Sequence, residues 1–109
     1  MLLSIVACNH SISITHEQTE CIQTCQDKRD AIWEQFEQDT TAAGTQLANG
    51  RQHCSMESPG NKPACFEAVE EVYRQVILKA EIKRDRGLSD LNGCEFRCIA
   101  QDPGPIKTN

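Results

Sequence analysis

The chain has 109 residues and a formal net charge of -5, and it contains seven cysteines but only five aromatic residues (one Trp, one Tyr and three Phe). This acidity argues against general nucleic-acid binding, which requires a basic surface. The length allows one domain at most, and so few large apolar side chains predict a thin core that needs cross-links. Seven cysteines in so short a chain indicate a compartment that permits disulfides, such as the periplasm or the cell exterior.

The N-terminus is a short apolar segment, residues 1–7, that runs directly into Cys8. Its end, Ile5-Val6-Ala7-Cys8, resembles the lipobox of bacterial lipoproteins, in which a small residue precedes the cysteine that is acylated. The resemblance implies that Cys8 carries the lipid, palmitate included, and begins a tether, residues 8–14. It also implies an outer-membrane anchor, because Asn9 rather than aspartate follows the cysteine. The alternatives are a free thiol or an intermolecular bridge at Cys8, and a buried apolar tail formed by residues 1–7.

Two long amphipathic arms follow the tether. The motif Thr15-His16-Glu17-Gln18 has capping-box spacing and predicts the start of the first helix. In each arm one set of mostly apolar residues recurs at spacings of about three and four, which is the helical period, and so forms a stripe along one face. The stripes consist of Cys25, Trp33, Phe36, Thr40, Ala43, Leu47 and Cys54 in the first arm, and of Phe66, Val69, Tyr73, Val76, Ala80, Leu91, Cys94 and Cys98 in the second.

The six cysteines after Cys8 are nested around one point of the chain. The pairs Cys21–Cys98, Cys25–Cys94 and Cys54–Cys65 are all centred between Pro59 and Gly60. Proline followed by glycine favours a turn, because proline presets φ and glycine tolerates positive φ. The sequence therefore predicts an all-α fold over residues 15–100: a disulfide-stapled antiparallel helical hairpin with its turn at residues 58–63.

The C-terminal part of this hairpin contains helix-breaking residues. Gly87, with Ser89-Asp90 and Asn92-Gly93 after it, is expected to end the second helix, and a short third helix is expected at the last Cys-x3-Cys motif. From residue 101 onward, Asp102-Pro103-Gly104-Pro105 cannot continue a helix, so residues 101–109 are expected to be a disordered tail.

Charges on the two arms agree with the register that the cysteines predict. Arg84 is expected opposite residue 35, beside acidic residues of the first arm, and Arg51 is expected between Glu67 and Glu71. Likewise, Arg29 is expected to face Asp90. Opposite charges flanking an antiparallel helix pair help to fix its register.

Cysteines and histidines are also the side chains from which metal or catalytic sites could be built. Cys21, Cys25, Cys94 and Cys98 have zinc-ligand spacing, but the symmetric third pair favours disulfides over a four-thiolate zinc site. A redox-active role is disfavoured because no Cys-x-x-Cys motif is present. His10, His16 and His53 have no metal-ligand spacing among themselves, and the chain lacks the motifs of phosphate loops and hydrolases. No enzyme activity, metal or cofactor is therefore expected.

The nested cysteine order from Cys21 to Cys98 also resembles that of saposin-like lipid-binding domains. That resemblance implies lipid binding, although this sequence has a Cys-x3-Cys motif at both ends and a more polar composition. The twin Cys-x3-Cys motifs are similar to those of small hairpin proteins of the mitochondrial intermembrane space, which have shorter helices and no third pair.

The function expected from these patterns is that of a lipid-anchored interaction protein of the bacterial envelope. It would act as an assembly or pilot factor, an exclusion or immunity lipoprotein, or a phage- or plasmid-encoded envelope protein. A protein partner is expected, with the membrane reached through the anchor and no nucleic acid bound. The expected contact is the tip of the hairpin, comprising Ser58, Pro59, Gly60, Asn61 and Lys62.

Overall fold

The computed structural model describes residues 15–100, which form three helices and contain no strand. Helix α1 spans His16–Cys54, α2 spans Lys62–Asp90 and α3 spans Cys94–Ala100. The prediction of an all-α, disulfide-stapled antiparallel hairpin with a short third helix is confirmed.

The predictions for both chain ends lie outside the described residues: the apolar segment 1–7, Cys8 with the tether 8–14, and the tail 101–109. The part predicted as one hairpin divides into two compact units. We call Arg29–Asp90 the hairpin unit, and residues 15–28 together with 91–100 the cysteine unit.

The first turn of α1 is held by the predicted capping box. The Gln18 N–H donates to Thr15 Oγ1 at 3.1 Å, and the Thr15 N–H donates to Gln18 Oε1 at 2.8 Å. Two N–H groups that have no acceptor within the helix are thereby satisfied. The Gln18 side chain also donates to the carbonyl of Ile99 at 3.0 Å, which joins α1 to α3 within the cysteine unit.

In the hairpin unit, glycines bring the two helices into close contact. A Cβ added to Gly50 would lie 2.6 Å from Val69 Cγ1, and one added to Gly87 would lie 2.9 Å from Ile32 Cδ1. Both contacts are centred between Pro59 and Gly60, like the three cysteine pairs. The register predicted from the cysteines therefore extends along the hairpin unit.

The connection between α1 and α2 lies earlier in the chain than the predicted turn, residues 58–63. It consists of residues 55–61, whereas Lys62 and Pro63, which were assigned to the turn, lie in α2. The carbonyl of Ser58 accepts hydrogen bonds from the N–H groups of Asn61 at 2.9 Å and Lys62 at 3.1 Å. The turn thus leads directly into the helix, and Pro63 fits its first turn because the N–H it lacks would have no helical acceptor there.

Two glycines behave differently from the prediction. Gly60 does not use the positive φ expected of it, since among the described residues only Gly93 has a positive φ, of 77°. Gly87 itself does not end the second helix, because α2 continues to Asp90, which lies within the segment of breaking residues predicted to end it. Gly87 instead gives Ile32 room to pack, and the left-handed residue Gly93 separates α2 from α3.

Candidate interaction and metal sites

The predicted contact residues lie together at the tip of the hairpin unit. We define the tip loop as residues 55–61, which the disulfide Cys54–Cys65 closes across a Cα–Cα distance of 5.5 Å. Cys54 is fully buried, whereas Met56 in the loop is 76% exposed. Of the predicted contact residues, Ser58, Pro59, Gly60 and Asn61 are exposed and Lys62 is half-buried.

Local hydrogen bonds order the first half of the tip loop. The N–H of Met56 donates to the carbonyl of His53 at 3.1 Å, and the N–H of Glu57 donates to that of Cys54 at 3.0 Å. The Ser55 hydroxyl donates to the carbonyl of Gln52 at 2.6 Å. Together with the disulfide, these bonds give the exposed Met56 side chain a fixed backbone, which lowers the entropy lost when a partner binds.

A second surface feature, the aromatic–arginine cluster, consists of Trp33, Phe36 and Arg84. The two rings meet edge to face, with centroids 6.0 Å apart and planes at 88°. The Arg84 guanidinium lies 4.5 Å from the Phe36 centroid and 5.3 Å from that of Trp33, within cation–π range. Its Nε also donates to Asp85 Oδ1 at 2.9 Å, so neighbours on both helices orient the side chain.

The sequence reasoning missed this cluster because it assigned Trp33 to the buried stripe. Trp33 is 48% exposed, and Ile32 packs against α2 instead, at the space above Gly87. Arg84, which was expected to meet acidic residues of α1, contacts the two rings and Asp85. A signal was present, because the cysteine register sets Arg84 opposite residue 35, between the two aromatic positions.

An open groove of about 310 Å³ lies beside the cluster in the hairpin unit. Its lining includes Ile32, Phe36, Asp39, Ala80, Lys83 and Arg84. The groove therefore combines apolar side chains with charged groups of both signs.

The ion pairs near the tip differ in detail from the prediction. Arg51, which the register sets opposite residue 68 between Glu67 and Glu71, pairs with Glu70, with Nε donating to Oε2 at 3.1 Å. Glu71 instead accepts hydrogen bonds from Gln75 at 2.9 Å and from Arg74 at 2.6 Å. These two donors, Gln75 foremost, lower the pKa of the Glu71 carboxyl below its ordinary value.

In the cysteine unit, two disulfides lie one helical turn apart. Cys21 is joined to Cys98 and Cys25 to Cys94, with Cα–Cα distances of 5.7 and 6.0 Å. Together with Cys54–Cys65, these are the pairs that the nested spacing predicts. The sulfurs of Cys25 and Cys98, which belong to different disulfides, lie 3.8 Å apart.

Three of the sulfurs in the cysteine unit are close enough together to be candidate metal ligands. Among residues 15–100, the one group of histidine, cysteine or acidic side chains close enough to share a metal ion is Cys21, Cys25 and Cys98, whose ligand atoms lie within 4.8 Å of one another. Of the histidines described, His16 lies 3.4 Å from Glu20 and His53 lies 3.9 Å from Glu57, both on the surface. His10 lies outside the described residues.

Comparison with protein-family models, with curated proteins and with solved structures finds no match for this chain. In the part of the chain that the structure describes, no helix has the length and apolar character that crossing a membrane requires.

Proposed function

We propose that the chain is a small lipid-anchored protein of the bacterial envelope that acts by binding another protein. The lipid would be carried by Cys8 and would hold the chain at the outer membrane. Three disulfides support an oxidising compartment such as the periplasm. Within that envelope role, assembly, exclusion and phage- or plasmid-encoded functions all require a contact surface for a partner.

The observation that carries this proposal is the distribution of side-chain size in the hairpin unit. Its buried apolar residues are all small, namely Ala43, Cys54 and Ala80, whereas Trp33 is half exposed. Tryptophan and arginine are over-represented among the residues that dominate protein interfaces. The aromatic–arginine cluster places both types together, with the Arg84 side chain already held over the rings.

The tip loop supplies a second contact in the same unit. Met56 is the most exposed large apolar residue described, and it stands in a loop whose ends are covalently joined. Methionine adapts to irregular partner surfaces because its side chain is flexible and polarisable. We assign partner binding to these two surfaces of the hairpin unit.

Site-specific photo-cross-linking in the native host tests this assignment. A photoreactive amino acid would replace Met56 in the tip loop, Glu37 beside the aromatic–arginine cluster, or Asn49 as control. Asn49 is also an exposed residue of α1 but lies on a different face of the helix. We expect one partner to be cross-linked from position 56 or 37 and not from position 49. Equal yields at all three positions, or none, would contradict a specific protein contact.

Genetic complementation can then distinguish the contribution of the tip loop to function from that of the aromatic–arginine cluster. In a deletion strain, Trp33→Ala and a neutral turn in place of residues 58–62 are each compared with the unaltered chain. Loss of function on changing the turn would place the contact at the tip. Full rescue by the altered turn would exclude Ser58 to Lys62 as the contact, leaving Met56 and the aromatic–arginine cluster to be judged by Met56→Ala and Trp33→Ala.

A lipid-binding function is the alternative that a specific observation favours. Leu78 and Ile82 are exposed on α2 beside Lys79 and Lys83, an apolar and basic combination found on helices that bind membrane surfaces. The full chain with Cys8→Ser removes any lipid anchor and isolates this surface. Binding of that variant to anionic vesicles at low pH would support the saposin-like reading, and absence of binding would leave the protein contact.

A further inference from the structure

We propose that reduction converts the cysteine unit into a zinc site in which Cys21, Cys25, Cys94 and Cys98 supply four thiolate ligands. In the oxidised chain these residues form two disulfides and cannot act as thiolates. The inference concerns the reduced chain and does not depend on the function proposed above.

The sulfur positions are close to those of a tetrahedral site. Zinc–thiolate bonds are about 2.3 Å long, so neighbouring sulfurs around zinc lie about 3.8 Å apart. Cys25 and Cys98 already have this separation, at 3.8 Å, although no bond joins them. Cys21 lies with them in a group whose ligand atoms are within 4.8 Å of one another. Cys25 and Cys98 therefore already have the spacing of zinc ligands, and Cys21, which is bonded to Cys98, lies close by.

The backbone geometry allows the bonded sulfurs to separate. Breaking each disulfide requires its two sulfurs to move about 2 Å further apart to reach the zinc-ligand spacing. The Cα–Cα distances of 5.7 Å for Cys21–Cys98 and 6.0 Å for Cys25–Cys94 leave room for this by rotation of the side chains. Each Cys-x3-Cys motif also presents its two sulfurs from one face of a helix, α1 for one pair and α3 for the other.

Burial favours a metal over free thiolates at this place. Cys25 and Cys98 are 1% and 2% exposed, so a free thiolate there would lose its hydration without compensation. Coordination to a divalent cation supplies the compensating charge. Cys21 and Cys94 are half-buried, which gives an ion access to the site from solvent.

The chemistry balances with a thiol-class reductant. Each disulfide takes up two electrons and two protons from a dithiol, which is itself oxidised to a disulfide, so the two disulfides yield four thiols. Zn²⁺ binding then displaces four protons and forms four zinc–sulfur bonds. Affinity is therefore expected to rise with pH, because protons compete with the metal for the thiolates.

The third disulfide provides a matched control within the same chain. Cys54 and Cys65 form a single pair in the other unit, with no second pair beside them. Two thiolates alone do not complete the four-ligand shell of a structural zinc site. The reduced tip is therefore not expected to bind zinc on its own.

The test uses the full chain with Cys8→Ser, reduced without air by a phosphine that does not bind metal through sulfur. Co²⁺ serves as a spectroscopic probe, because tetrahedral thiolate coordination produces characteristic charge-transfer and d–d absorption. We expect one Co²⁺ per chain with the four-sulfur spectrum, its displacement by Zn²⁺, and a native mass that shows one bound zinc ion. Circular dichroism recorded with and without metal reports whether binding also restores helix.

Two variants decide the outcome. Cys94→Ser should lose the four-sulfur spectrum, whereas Cys54→Ser with Cys65→Ser should keep it unchanged. The proposal is overturned if the reduced chain takes up no cobalt, if Cys94→Ser binds as before, or if the tip variant loses the spectrum equally. A reduced chain that unfolds and regains helix only with zinc supports the proposal, because metal binding then drives folding.

Discussion

At the residue scale, the helical glycines illustrate why identical residues have different consequences. From sequence, Gly44 and Gly50 each weaken the first helix by about 1 kcal/mol relative to alanine. In the structure, a Cβ on Gly44 would meet nothing within 4 Å, whereas one on Gly50 would lie 2.6 Å from Val69 Cγ1. Of these two glycines, only Gly50 is therefore required by packing.

This difference predicts opposite effects for the same substitution. Gly44→Ala should raise the free energy of unfolding by about 1 kcal/mol, because alanine favours the helix and enters open space. Gly50→Ala should lower it by about 1–3 kcal/mol, since the branched Val69 side chain cannot move aside freely. Urea unfolding of the oxidised proteins, followed by circular dichroism, measures both. Equal shifts would show that the close approach of Gly50 to Val69 is absent.

The carboxyl of Glu71 provides a test of side-chain geometry near the tip. Gln75→Ala should raise its pKa toward the ordinary value by removing the first of the two hydrogen bonds that lower it. A pKa lowered by folding stabilises the folded chain above the unfolded-state pKa, and this contribution is lost as pH falls through the folded-state pKa. NMR titration of the carboxyl carbon measures the shift.

The matched control for that titration is Gln35→Ala, which removes a similar hydrogen bond, at 2.8 Å, to Asp39 on α1. It should leave the Glu71 titration unchanged. An unchanged Glu71 pKa in Gln75→Ala as well would mean that this side-chain pair does not form in solution.

At the element scale, the sequence predicts the features of the helices that depend on neighbouring residues. It does not predict those that depend on tertiary packing. The start of α1 was predictable because Thr15 and Gln18 satisfy each other's N–H groups within one turn. The last residue of α2 was less predictable, because Gly87 lies within the helix, at a position where a Cβ would meet Ile32, a residue distant in sequence. Trp33 was misplaced for the same reason, since a helical stripe does not distinguish it from its neighbour Ile32.

The candidate sites likewise include one set of residues that the sequence predicted and another that depends on packing. Nested cysteine spacing was sufficient to pair Cys21 with Cys98 and Cys54 with Cys65, because facing residues of a hairpin are symmetric about its turn. To predict the aromatic–arginine cluster, one would need to know which side of the stripe packs against α2. Charge complementarity alone predicted acidic partners for Arg84, whereas in the structure its guanidinium lies over two aromatic rings.

The capping box predicts a measurable contribution to the stability of α1. Thr15→Ala should lower the free energy of unfolding by about 1 kcal/mol, because the N–H of Gln18 loses its acceptor. Thr41→Ala is the matched control, since Thr41 lies exposed in the interior of the same helix, where alanine is favourable. Chemical denaturation compares the two, and equal destabilisation would argue against the cap.

At the scale of the whole molecule, the disulfides replace much of the apolar core. Of the six buried apolar residues described, three are cysteines: Cys25, Cys54 and Cys98. The others are Ala43, Ala80 and Leu91, so little large apolar surface is removed from water. Each cross-link typically contributes about 2–4 kcal/mol, with less for loops that another disulfide already constrains. The fold therefore depends on its disulfides, which are of the kind that forms in an oxidising compartment such as the proposed location.

Because the fold depends on the disulfides, the central claim is that the cysteines of the natural protein are oxidised. The intact mass of that protein tests this claim most directly. The protein would be isolated from the envelope of its own host, expressed with its native upstream region, and weighed before and after reduction. We predict a chain that begins at Cys8, carries added acyl mass, and lacks two hydrogens for each of three disulfides. A chain that begins at Met1 with free thiols would contradict the anchor, the compartment and the cross-linked fold together.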